Sequence, residues 1–324
     1  MPDIFEERES IQPYEYPKLL EYITAIHESF WTPDHFTYDK DVLAFKTRLT
    51  EVEKSAVKRA MLAIGVIENK VKTFWSRIDI RMPKPEIADV GHTFGGNEVI
   101  HKLTYERLLD LLGLSNEFKD ILDVPCMQGR IKYLSTYLKG VSSRSNKEFT
   151  KSLILFTLLV ENSSLFSQFL TIASFNKYRK QTLSNFNTIV MATAREETLH
   201  GQFGAELIKI IREENPDWFD DEMEAKIRRS IRKAYKVEAE VLDWIFEKGE
   251  LDFMPKKTIL EYLKKRLNKS LEQIGYEDEY ELDEVILEKT EFFDNSVKCS
   301  VSFDFFNDKG IDYSKKNLIT EDDW

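Results

Sequence analysis

The chain twice carries a glutamate followed three residues later by a histidine within a helical pattern: Glu98-Val99-Ile100-His101 and Glu197-Thr198-Leu199-His200. Residues at i and i+3 lie about 60° apart around an α-helix, so both side chains of a pair can reach one ion. Two such pairs on separate helices, each needing a further carboxylate, describe a dinuclear metal site inside four helices. Few other arrangements satisfy that pattern, and the rest of the chain is read around it.

Two further glutamates supply the missing carboxylates. Glu68 interrupts the stripe of Val57, Met61, Ile64, Ile67 and Val71, and Glu161 follows the apolar run Leu153–Val160. Burying one unpaired carboxylate costs several kcal/mol. Four buried together need countercharge, and two divalent ions neutralise four carboxylates. An oxygen-rich set with two imidazoles suits manganese or iron rather than a thiolate-type site, whereas a closed structural zinc site takes four ligands around one ion. The other histidines do not join in. His92 lies nine residues before His101, about 180° round the helix, and His27 and His35 have no acidic residue three positions earlier.

Apolar periodicity predicts a first helix over 17–30, a second from the capping box Thr50/Glu53 to about Ile80, and a third over 86–112. Gly91, Gly95 and Gly96 in the third imply close packing or a local break, since each costs about 1 kcal/mol against alanine. Shorter helices are expected over 115–122 and 126–139. A nearly all-apolar helix follows over 147–175, then the Glu197/His200 helix over 183–214, then 222–247 and 257–275. No strand alternation or repeat of fixed period is evident. A net charge of -11 disfavours nucleic acid as partner. The run Leu153–Val160 is too short to span a bilayer. Two cysteines without metal-type spacing fit a reducing compartment, and the cytoplasm is the expected location.

With these residues in place, the chain resembles the small, radical-generating subunit of class I ribonucleotide reductase, over most of its length. Tyr105, four residues after His101, matches the family's radical tyrosine. Phe30-Trp31-Thr32-Pro33 matches its early tryptophan motif, and Glu291-Phe292-Phe293 before an acidic tail matches the segment that docks on the large subunit. The resemblance implies an all-α, ferritin-like bundle over 17–300, with an N-terminal arm over 1–16 and a docking tail over 301–324. It implies metal ligation by Glu68, Glu98, His101, Glu161, Glu197 and His200. It further implies that the oxidised centre passes a hole through Trp31 and a tail tyrosine, here Tyr313, to a cysteine of the large catalytic subunit, where the thiyl radical begins reduction of ribonucleotides to deoxyribonucleotides. A homodimer is the family expectation.

Two positions depart from the family pattern. Glu196 stands where aspartate is common, and must reach a ligand histidine or Trp31 with an extra methylene. Lys72 stands at Glu68 plus four, where it could hydrogen-bond a ligand carboxylate, attract an anionic oxidant, or form a solvated intrahelical pair. Together with the short chain, Lys72 resembles the subclass that carries two manganese ions and is activated by superoxide. Two iron ions or a mixed Mn/Fe pair are the alternatives, and Tyr105 can then remain a closed-shell phenol. The competing functions are a stand-alone ferritin-like dimetal oxidase or oxygenase, which needs neither Trp31 nor a docking tail, and metal storage.

Overall fold

The computed structural model describes residues 3–180 and 182–301. Among them the helices run in order as α1 Glu21–Glu28, α2 Asp39–Thr47, α3 Glu51–Trp75, α4 Pro85–Leu112, α5 Glu117–Asp120 and α6 Pro125–Leu138. They continue as α7 Asn146–Phe156, α8 Phe166–Tyr178, α9 Ser184–Glu214, α10 Asp221–Ile245, α11 Lys256–Gln273, α12 Glu284–Leu287 and α13 Glu291–Val301. The described residues hold no β-strand, only an isolated bridge between Leu251 and Met254. The architecture is a ferritin-like helical bundle, with α3, α4, α9 and the α7–α8 segment around one continuous apolar core.

Local chemistry sets the boundaries of these rods. Thr50 Oγ1 accepts from the Glu53 backbone N–H while Glu53 Oε2 accepts from the Thr50 N–H at 2.8 Å, so the expected capping box starts α3. Such a cap contributes about 1 kcal/mol. Pro85 opens α4, and Gly113 closes it in the left-handed region at φ 75°. The three glycines of α4 produce no break. A Cβ on Gly91 would lie 2.4 Å from Ile78 Cγ2, and one on Gly95 would lie 2.7 Å from Ser76 Cβ. They are what lets the end of α3 press against α4.

The expected helix over 147–175 is not continuous. Between α7 and α8 the chain widens into a π-helix, Thr157–Ser164. Three consecutive polar side chains grip carbonyls five residues back: Asn162 Nδ2 donates to Thr157 O at 3.1 Å, Ser163 Oγ to Leu158 O at 2.7 Å, and Ser164 Oγ to Leu159 O at 2.5 Å. These bonds compensate the poorer π geometry, and such bulges gather at functional sites. The whole stretch Asn146–Tyr178 is long and apolar enough by composition for a membrane span, but its most apolar window is entirely buried within the protein. It is a core helix. The short α2 and the terminal α13 were not expected from periodicity, and only Glu117–Asp120 of the helix expected over 115–122 is α-helical.

A buried polar knot braces the π segment from behind. Arg130 of α6 pairs with Glu238 of α10 through Nε at 2.9 Å, and donates to Ala63 O at 2.9 Å, Ser164 O at 2.8 Å and Gln168 Oε1 at 3.0 Å. Tyr133 bonds both Glu238 and Ser164. Removing one partner of a buried pair strands the other's charge. Arg130→Met is therefore expected to cost about 3–5 kcal/mol in urea unfolding, and Arg130→Met with Glu238→Leu to recover most of it. Equal losses in the single and double variants would show that the pairing is not the cause.

The N-terminal arm is tied down rather than free over its described part. Glu86 is fully buried and receives Arg8 Nη1 at 3.0 Å together with the backbone N–H groups of Glu15 (2.9 Å) and Tyr16 (3.1 Å). Burial alone would raise its carboxyl pKa, but these donors bring it down to about 2.

Candidate metal centre

Six side chains from four directions meet in the core. Glu68 comes from α3, Glu98 and His101 from α4, Glu161 from the π segment, and Glu197 and His200 from α9; all are buried. They form two overlapping groups. In Glu68, Glu98, His101 and Glu197, and again in Glu98, Glu161, Glu197 and His200, one potential ligand atom from each residue lies within 4.8 Å of the others.

Glu98 and Glu197 belong to both groups, and their oxygens divide between the two halves. Glu98 Oε2 is 3.5 Å from His101 Nδ1 and its Oε1 is 3.0 Å from His200 Nδ1. Glu197 Oε1 is 3.1 Å from His101 Nδ1 and its Oε2 is 3.5 Å from His200 Nδ1. Glu68 stands 3.7 Å from His101, and Glu161 stands 3.5 Å from His200. The arrangement is two Glu/His sets, Glu68 with His101 and Glu161 with His200, with the carboxylates of Glu98 and Glu197 lying between them.

Both oxygens of Glu68 and of Glu98, Glu161 Oε2, Glu197 Oε1 and Nδ1 of both histidines have no hydrogen-bond partner. Orphaned polar atoms so deeply buried are rare and need an explanation. Two divalent cations satisfy this donor set in number, charge and chemistry.

Taken as side chains alone, the cluster retains protons. Burial drives Glu68 and Glu161 well above the ordinary carboxylate range. Burial would lower both imidazoles, but the carboxylates close to them raise both: Glu196, Glu197 and Glu98 beside His101, and Glu161, Glu197 and Glu98 beside His200. Glu197 goes the other way: burial opposes it, yet the imidazoles of His101 and His200 beside it hold it ionised. A metal pair held by these residues would have to displace these protons. The raised groups stabilise the metal-free fold at low pH, and that contribution fades as pH rises through their folded-state values. The rise in Tm on adding manganese to chelator-treated protein is thus expected to grow as pH rises above the ordinary carboxylate range. A constant increment would contradict this.

Sequence comparison converges on the same core. The family model for the small chain of ribonucleotide reductase matches residues 8–286. The chain belongs to the ribonucleotide reductase small-chain family. A probable ribonucleoside-diphosphate reductase small subunit of Invertebrate iridescent virus 3 is 22% identical over 336 residues, covering 99% of this chain and 88% of that protein. The ribonucleotide reductase R2 subunit from Clostridium botulinum superposes with a TM-score of 0.78 at 19% identity, covering 87% and 89% of the two chains. An R2-like ligand-binding oxidase reconstituted with a Mn/Fe cofactor superposes at 0.69 and 19%, covering 81% and 94%.

In this small chain, the residues expected to relay charge do not all behave alike. Trp31 is buried; its Nε1 donates to Glu196 Oε2 at 2.9 Å, and the same oxygen is 2.7 Å from His101 Nε2. The longer glutamate therefore spans the gap that an aspartate commonly fills in the family. Trp31 also stacks on the His101 ring, with centroids 5.7 Å apart and planes at 15°. Tyr105 is buried, but its hydroxyl donates to Thr193 Oγ1 at 3.3 Å and to no ligand carboxylate. Lys72 makes no hydrogen bond to Glu68, whose oxygens are both without one. Tyr313 lies outside the described residues.

One contact was missed in the sequence. Trp75 Nε1 donates to Glu161 Oε1 at 2.9 Å and thereby aims that carboxylate. Trp75 stands seven residues after Glu68, within about 20° of it around α3, so its position on the ligand face was readable. Its partner on the π segment was not.

Proposed function

We propose that this chain is the radical-generating small subunit of a ribonucleoside-diphosphate reductase, working as a homodimer with a large catalytic subunit in the cytoplasm. The observation that carries this reading is the buried line Trp31–Glu196–His101, in which one carboxylate oxygen joins an indole N–H to a ligand imidazole. A stand-alone oxidase, the competing reading, has no use for a tryptophan wired outward from its metal.

Glu68, Glu98, His101, Glu161, Glu197 and His200 would hold two manganese ions, with two iron ions or a mixed Mn/Fe pair as the alternatives. When bound and oxidised, the pair supplies a one-electron oxidising equivalent. Trp31 is proposed to pass that hole toward the large subunit, and Glu196 to hold the indole proton at Oε2, a role supported by the 2.9 Å bond between them. Tyr313 in the tail is the proposed next carrier toward the large subunit. Tyr105, bonded to a threonine hydroxyl, is proposed to remain a closed-shell phenol. Lys72 is proposed to act on an approaching anionic oxidant such as superoxide rather than on Glu68. The homodimer is supported by the outer face of α4, where Val99 and Leu103 are 42% and 47% exposed beside Gly96.

The test is capture by a reductase large subunit of full-length protein loaded separately with manganese or iron, against a chain lacking residues 310–324. Capture and ribonucleotide reduction by the full chain, both lost on truncation, are expected. Equal behaviour of the two chains would remove the proposed tail docking.

A further inference from the structure

A cavity of about 200 Å³ enters the bundle between α3, α4 and α5. Its mouth is formed by Lys102, Glu106 and Asp110. Its floor is Glu68 and Tyr105, and Gly65 and Phe118 narrow it between. The floor carboxylate is fully buried with neither oxygen hydrogen-bonded, so the cavity leads to a polar group that is waiting for a partner.

Gly65 is the unusual member. It sits inside α3 in ordinary helical conformation, where glycine costs about 1 kcal/mol relative to alanine. A Cβ there would lie 2.9 Å from Phe118 Cε2 and 3.6 Å from Leu109 Cδ1. Any side chain at 65 must therefore either move Phe118 or fill the passage. Phe118 is only half-buried, on the one-turn helix α5, and can swing. At the mouth Lys102 is paired with Glu106 at 3.0 Å, and Asp110 adds an unbalanced negative charge. That rim disfavours anions.

We propose that this cavity is the path by which a neutral, diatomic-sized ligand reaches the Glu68–His101 half of the centre, with Gly65 and Phe118 as its aperture. The inference rests on the metal-centre reading above. It assigns the two halves different exposure to small molecules: the cavity ends on Glu68, and neither Glu161 nor His200 lines it.

The test uses full-length protein loaded with iron(II), nitric oxide as the probe, and xenon-pressurised crystals to see the cavity itself. An apolar cavity of about 150 Å³ takes up xenon, and the apolar middle of this one is formed by Leu109 and Phe118. In the wild type, xenon is expected beside Phe118. Gly65→Leu should exclude xenon and slow nitric oxide association by about tenfold or more with iron content unchanged. Adding Phe118→Ala to Gly65→Leu should restore the rate, which a merely structural effect of the leucine would not do. Unchanged association in Gly65→Leu, with xenon excluded, overturns the access path while leaving the metal centre intact. A wild type that retains no iron overturns the metal reading and this inference with it, and metal analysis reads that outcome separately.

Discussion

Glu98→Ala is expected to empty the whole centre, not half of it. Glu98 faces His101 with one oxygen and His200 with the other, so on the proposed ligand set its loss would remove a ligand from both ions and one of the four charges that balance them. Glu68 serves only the His101 half. Metal analysis of Glu68→Ala should find the His200-side ion largely retained, whereas Glu98→Ala should retain little of either. Ribonucleotide reduction with the large subunit should fall at least about a thousandfold in Glu98→Ala, equivalent to about 4 kcal/mol on the barrier. Glu197 divides its oxygens in the same way and should behave like Glu98. A full metal complement in Glu98→Ala would mean that the carboxylate does not bridge.

The contrast between shared and terminal ligands shows how far the sequence could be read. The buried cluster was legible because helical spacing fixes Glu98 with His101 and Glu197 with His200, and because Glu68 and Glu161 stood against apolar surroundings that a carboxylate avoids unless compensated. The division of oxygens was not legible, since it depends on the rotation of α4 against α9. Nor was the π segment. Its register comes from Asn162, Ser163 and Ser164 each reaching a carbonyl five residues back, and from Arg130, distant in sequence, fastening Ser164 O. An apolar count over 147–175 sees only an unbroken helix. The glycines of α4 were readable as a sign of close approach, but only the packing of Ile78 and Ser76 excluded a break. Glu196 looked like a liability by its length, and that length is what closes the gap between Trp31 and His101.

That gap leads to the second large effect. Trp31→Phe is expected to leave metal content unchanged and to lower ribonucleotide reduction at least about a thousandfold. Phenylalanine keeps much of the ring that stacks on His101 but has no N–H for Glu196 Oε2, and its benzene ring is much harder to oxidise than an indole. Glu196→Gln should be milder. The amide can still accept from Trp31 through its oxygen, but the single carboxylate oxygen now joining indole to imidazole would no longer carry charge, and partners behind a metal-ligating histidine are typically worth about 10–100-fold. The order of the two variants therefore separates a conducting role from a supporting one. If Trp31 merely packed against the centre, its conservative replacement would be the gentler change, and both variants would act through metal affinity. If Trp31 conducts, its replacement is the severe one, metal content does not move, and only the reaction that needs the partner subunit is lost. A stand-alone oxidase predicts neither pattern, because its chemistry ends at the metal and Trp31→Phe would leave oxidation of its own substrate in place.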